Sequence, residues 1–160
     1  MKHIVIIAGK KSHGPEGNGI HDYPAQARLL QDCLQRSALG STLHIIRAED
    51  DSWPEAEIAQ TDCLVVIGDG RDGDLPYAEA SHLASPARIS QVEALVARGA
   101  GVVAIHFSTF APERELPRAL AWQGAAFQWE QNGKRDWFSR ITWASGLPDL
   151  LAPGHQVLRG

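Results

Sequence analysis

Gly99-Ala100-Gly101-Val102-Val103-Ala104-Ile105-His106-Phe107-Ser108-Thr109-Phe110 is the stretch that decides the fold. Val102 to Ile105 is a short apolar run behind a Gly-x-Gly start, the pattern of a strand covered on both faces in a parallel sheet. The run ends in a histidine, with hydroxyls close behind at Ser108 and Thr109. Ligands of open parallel sheets sit outside the carboxyl ends of the strands, so a polar cluster after His106 is a place to expect chemistry.

Upstream, three more apolar runs have the same form. Met1 to Ala8 reads as a central strand stopping at Gly9, Thr42 to Ile46 as a second strand, and Cys63 to Ile67 as a third stopping at Gly68. Helical stretches separate them. Asp22 can cap a helix over residues 23–36, with Ala27, Leu30, Cys33 or Leu34 and Ser37 on its inward stripe and Gly40 beyond its end. A short helix is expected near Glu55 to Ala59, and an amphipathic one from Ile89 to Arg98, with Ile89, Val92, Leu95 and Val96 on one side. Helices alternating with buried strands predict an α/β fold: a doubly wound, mostly parallel, flavodoxin-like sheet with helices on both faces.

Beyond His106 the pattern changes. Pro112 to Leu120 is expected to be helical, and Phe127 to Trp143 extended around the Asn132-Gly133 turn, while residues 144–160 read as loop. The 160 residues are expected to form one domain. A formal charge of −4 with no basic stripe argues against a nucleic-acid surface. Near the N-terminus the longest apolar run, Ile4 to Ala8, is too short for a signal peptide or membrane span, which sets the expectation of a cytoplasmic protein away from membranes. Cys33 and Cys63 lack the spacing of metal ligands and are expected to pack as small hydrophobes.

The strand ends supply the candidate chemistry. Ser12 and His13 follow the first strand, Asp69 the third, and His106 the fourth; in the commonest five-strand order His13, Asp69 and His106 face one crevice. An imidazole at His106 suits a general base or a metal ligand, and His13 a second ligand or a substrate contact. The ordinary alternatives are a histidine satisfied by backbone at a strand end and a solvated loop residue. His21 reads as a surface or helix-start residue, and His82 and His155 carry no argument beyond their type.

In Gly68-Asp69-Gly70-Arg71-Asp72-Gly73-Asp74 the carboxylates miss the spacing of a calcium loop, which leaves a solvated turn with Asp69 as its exception. A phosphate loop through Gly9-Lys10-Lys11-Ser12 would need glycine where Ile4 stands and a hydroxyl where Lys11 stands. With Gly14, Gly17 and Gly19 also misplaced for a dinucleotide fingerprint, no nucleotide cofactor is expected. Trp129 and Trp137 belong to a tryptophan-rich stretch that suits either a carbohydrate-facing wall or the filling of a small sheet extension.

Taken together these residues resemble the trehalose-utilisation (ThuA-like) family, which is similar in fold to the class I glutamine amidotransferases. The resemblance lies in Ala8-Gly9-Lys10-Lys11-Ser12-His13-Gly14-Pro15, in Leu29-Leu30 and Cys33-Leu34, and in the strand leading to His106. It continues through Gly133-Lys134-Arg135-Asp136-Trp137-Phe138 and His155-Gln156-Val157-Leu158-Arg159-Gly160. Amidotransferases carry a nucleophilic cysteine where this chain has His106, so glutamine hydrolysis through a thiolate is not expected. The resemblance instead implies sugar metabolism on oxidised (3-keto) glycosides, with a divalent metal at a histidine site. It also implies a further segment beyond Gly160; if that segment supplies ligands or covers the crevice, residues 1–160 are expected to be a fragment or a degenerate member without activity.

The leading expectation is an enzyme acting on a small-molecule sugar or glycoside. His106 is its base or metal ligand, His13 its second ligand, and Asp69 its orienting carboxylate, with Ser12, Ser108, Trp129 and Trp137 as substrate contacts. The alternative is a non-catalytic sugar-binding or interaction module on the same fold. A third reading is a subunit of a homo-oligomer whose crevice another chain completes.

Overall fold

The computed structural model describes residues 1–13, 19–70, 79–128, 130–135 and 146. Four strands, β1 (Lys2–Ala8), β2 (Leu43–Ala48), β3 (Cys63–Ile67) and β4 (Gly101–Ile105), form an all-parallel sheet in the order β2-β1-β3-β4. This is the order of the flavodoxin-like folds. The helices α1 (Tyr23–Arg36), α2 (Glu55–Gln60) and α3 (Pro86–Ala97) lie between successive strands.

The order reverses between β1 and β3. With right-handed crossovers that reversal sends α1 to one face and α2 and α3 to the other. The alternation along β1 records the result. Val5 and Ile7 pack with Ile58 of α2 and with Val92 and Leu95 of α3, whereas Ile6 and Ala8 pack with Tyr23 and Ala27 of α1. Neighbours along one strand serve opposite cores because strand side chains alternate between faces.

Several boundaries and one environment differ from the sequence reading. Helix α3 begins at Pro86, because the Ser85 hydroxyl accepts from the Arg88 N–H and proline suits the first helical position. Residues 113–115 form a 3₁₀ turn before α4 (Leu116–Gln123). Strand β4 is less covered than the sequence pattern predicts: Val102 is buried, but Val103 is 42% exposed, and among the described residues β4 pairs with β3 alone. The core that α1 covers centres on β1 and β3 and, among the described residues, takes in only Ile105 of β4. Cys33 is exposed, the inward stripe of α1 running through Ala27 and Leu30 instead. Cys63 does pack against that core.

Asn132 and Gly133, with φ of +52° and +70°, turn between the two-residue strands β5 (Glu130–Gln131) and β6 (Lys134–Arg135). Positive φ at both central residues is what a type I′ hairpin requires. No helix among the described residues is long and apolar enough to cross a membrane.

Candidate functional site

The carboxyl ends of β1, β3 and β4 meet where the strand order reverses, and each contributes to one polar cluster. The loop after β1 is folded back on itself: Ser12 and His21 exchange two backbone hydrogen bonds of 3.1 and 2.9 Å. That pairing sets the His13 and His21 rings 4.1 Å apart between centroids. Immediately afterwards the Asp22 carboxylate accepts from the Ala25 N–H at 2.9 Å, starting α1, and binds the Lys11 ammonium at 2.6 Å. Tyr23 is therefore the first residue of α1, and it is fully buried.

From β3 the chain passes through Gly68 to Asp69. Space there is minimal: a Cβ on Gly9 would stand 3.0 Å from the Gly68 Cα, and one on Gly70 would stand 2.2 Å from the Phe107 carbonyl oxygen. From β4 the chain turns sharply at His106, whose φ is +63°, into a 3₁₀ turn over His106–Thr109. His13 also has positive φ, +59°. Two non-glycine residues in this region are uncommon, and such backbone strain gathers at functional sites.

Tyr23 ties the cluster together. Its hydroxyl donates to Asp69 Oδ1 at 2.7 Å and lies 3.2 Å from His106 Nδ1 and 3.3 Å from His21 Nδ1. The His21 and His106 rings are 4.6 Å apart. Ser12 Oγ and His13 Nδ1 share a hydrogen bond of 3.0 Å, and His13 Nδ1 stands 3.7 Å from Asp69 Oδ1. Burial lowers the pKa of both His21 and His106. Neighbouring imidazoles push the same way and the Asp69 charge opposes them, so both rings are neutral at neutral pH.

Ligand atoms of His13, His21 and Asp69 all lie within 4.8 Å of one another, close enough to hold a metal ion. Two imidazoles with one carboxylate suit a first-row divalent ion such as zinc, manganese or iron better than magnesium or calcium, which prefer all-oxygen surroundings. The sequence reading paired His13 with His106 as ligands. The structure groups His13 with His21 and Asp69, and brings His106 in through Tyr23.

A cavity of about 390 Å³ lies beside the cluster, lined by Lys10, Lys11, Ser12, Asp50, Asp51, Asp69, Glu79, Ser81, Ala84 and Arg88. Asp69 and Ser12 are shared between cavity and histidine cluster. On the far wall the Ser81 hydroxyl donates to Asp51 Oδ1, and the Arg88 guanidinium donates to the carbonyls of Ser81 and Asp51 at 3.2 Å each. Arg88 also lies 4.8 Å over the Trp53 ring.

Of the residues singled out in the sequence, Ser12, His13, Asp69 and His106 are brought together. Ser108 is fully buried and donates to the Gly68 carbonyl at 3.1 Å, fastening the turn after β4 to the end of β3 away from the cavity lining. Trp129, Trp137, Asp72, Asp74 and His155 lie outside the described residues. The sequence reading missed His21 and Tyr23. The available signal was their position flanking the helix cap Asp22, which fixes them relative to α1. No family model matches the chain, and no curated protein or solved structure matches it.

Proposed function

We propose that the chain is a divalent-metal-dependent enzyme acting on a sugar or glycoside in the crevice at the ends of β1, β3 and β4. The observation that carries this reading is the convergence of His13, His21 and Asp69 within 4.8 Å, next to a cavity that Asp69 also lines. The carboxylates of Asp50, Asp51 and Glu79 and the hydroxyls of Ser12 and Ser81 on that cavity supply hydrogen-bond partners for a hydroxyl-rich ligand. The resemblance to the trehalose-utilisation family, and through it to the amidotransferase-like fold, supports the same substrate class.

His13, His21 and Asp69 would hold the ion. When bound, it supplies Lewis acidity toward a substrate carbonyl oxygen or a water. His106 is the base of this reading: it is neutral, exposed and oriented through its Nδ1 contact with Tyr23, so its other nitrogen is free to take a proton. That proton comes from the carbon beside a keto group in one chemistry and from water in a hydrolysis.

Elemental mass spectrometry of tag-free protein after dialysis tests the reading. Near-stoichiometric zinc, manganese or iron is expected in the wild type and its loss in His21→Ala. Absence of metal from the wild type would overturn it. His106→Ala should keep the metal while turnover of keto-sugars or glycosides falls by about 10² to 10⁴. A wild type that binds saccharide without converting it would be a binding module instead.

A further inference from the structure

We infer that Tyr23 is a positioning residue that fixes His21 and His106 in the tautomer protonated on Nδ1, leaving Nε2 of each as a lone-pair acceptor. The inference concerns the same site as the metal reading, and its first test is independent of that reading.

The number of protons in the cluster decides the tautomer. A phenol has one to donate, and the 2.7 Å contact with the Asp69 carboxylate, shorter than either imidazole contact, takes it. The phenol oxygen then has only lone pairs to offer His21 Nδ1 at 3.3 Å and His106 Nδ1 at 3.2 Å. Each contact is a hydrogen bond only if the imidazole supplies the proton. One buried hydroxyl thus orients the carboxylate and both rings at once. Partners of this kind govern which nitrogen of a histidine is available for a ligand or a proton.

The position of the hydroxyl is not adjustable. Tyr23 is fully buried in the core shared by α1, β1 and β3, and Asp22 caps the helix that Tyr23 begins. Its ring is held by packing, so Tyr23→Phe removes the oxygen while keeping the shape that fills the core.

Long-range proton–nitrogen NMR of metal-free protein with ¹⁵N-labelled histidine tests this, the signals being assigned with His21→Gln and His106→Gln. The wild type should show both rings protonated on Nδ1, and Tyr23→Phe should release both toward the Nε2-protonated form that a free histidine side chain favours. Zinc titration by calorimetry should then show affinity falling about 10- to 100-fold in Tyr23→Phe, with the circular dichroism spectrum unchanged.

Nε2-protonated rings in the wild type would overturn the inference whether or not Tyr23→Phe folds. Unchanged tautomers in Tyr23→Phe would overturn it too, assigning any lost affinity to Asp69 alone. A wild type with Nδ1-protonated rings but no zinc binding would sustain the inference and refute the metal reading.

Discussion

His106 stands in the left-handed region of backbone space, at φ +63°, directly after an extended residue, Ile105, at φ −120°. That change of direction lifts the side chain out of the sheet and over the crevice end. A residue with a Cβ is strained there by roughly 1 to 2 kcal/mol relative to glycine. His106→Gly is therefore expected to be about 1 kcal/mol more stable than His106→Ala in urea unfolding, although both lose the imidazole. Equal stabilities would show that the turn relaxes once histidine is gone. Position at a strand end made His106 legible in the sequence. Tyr23 was not legible, since a tyrosine opening an amphipathic helix reads as core, and it is core. Its function rests on one oxygen atom reaching Asp69, 46 residues away.

At the scale of elements, the site depends on how closely strand ends and turns approach one another. Gly70 follows Asp69 and lies against the turn that begins with His106. In Gly70→Ala the added methyl would meet the Phe107 carbonyl at 2.2 Å, so the two loops must separate. The expected outcome is a loss of about 1 to 3 kcal/mol in urea unfolding, accompanied by weaker zinc binding in calorimetry. Helix α3 offers a contrast from the far wall of the cavity. Ser85→Ala removes its cap and should lower stability by about 1 kcal/mol while leaving zinc affinity unchanged. A change in affinity there would mean that α3 and Arg88 govern the site from the far wall. The Ser85-Pro86 signal was present in the sequence, but Ile89 drew the boundary because periodicity marks a helix's buried residues rather than its cap.

Across the molecule as a whole, the deepest-buried histidine with a resolved shift, His82, ties stability to pH. His82 is fully buried between the turn that bears it and α4, and among the described residues neither ring nitrogen has a hydrogen-bond partner. Burial lowers its pKa from 6.5 to about 4; Gln123 opposes part of that shift without making a hydrogen bond of good geometry. Between those values the unfolded chain binds the proton and the folded one does not, so stability rises with pH. The protein should lose up to about 3 kcal/mol as pH falls from 6.5 to about 4, with His21 and His106 adding in the same direction. His82→Leu should flatten the urea-unfolding profile over that window, and equal slopes in both proteins would sink the assignment. Local signals along the chain were enough to specify the alternation of strands and helices, the start of α1 at Asp22, and the strand ends that bear Asp69 and His106. Those features rest on apolar period, caps and glycine stops, which act over a few residues. Folding alone leaves Val103 of β4 exposed, brings His13 to His21, and sets Tyr23 between Asp69 and two imidazoles. Those juxtapositions depend on which strands become neighbours and on a loop pairing with itself. Both are set by packing and hydrogen bonding between residues that the sequence does not place side by side.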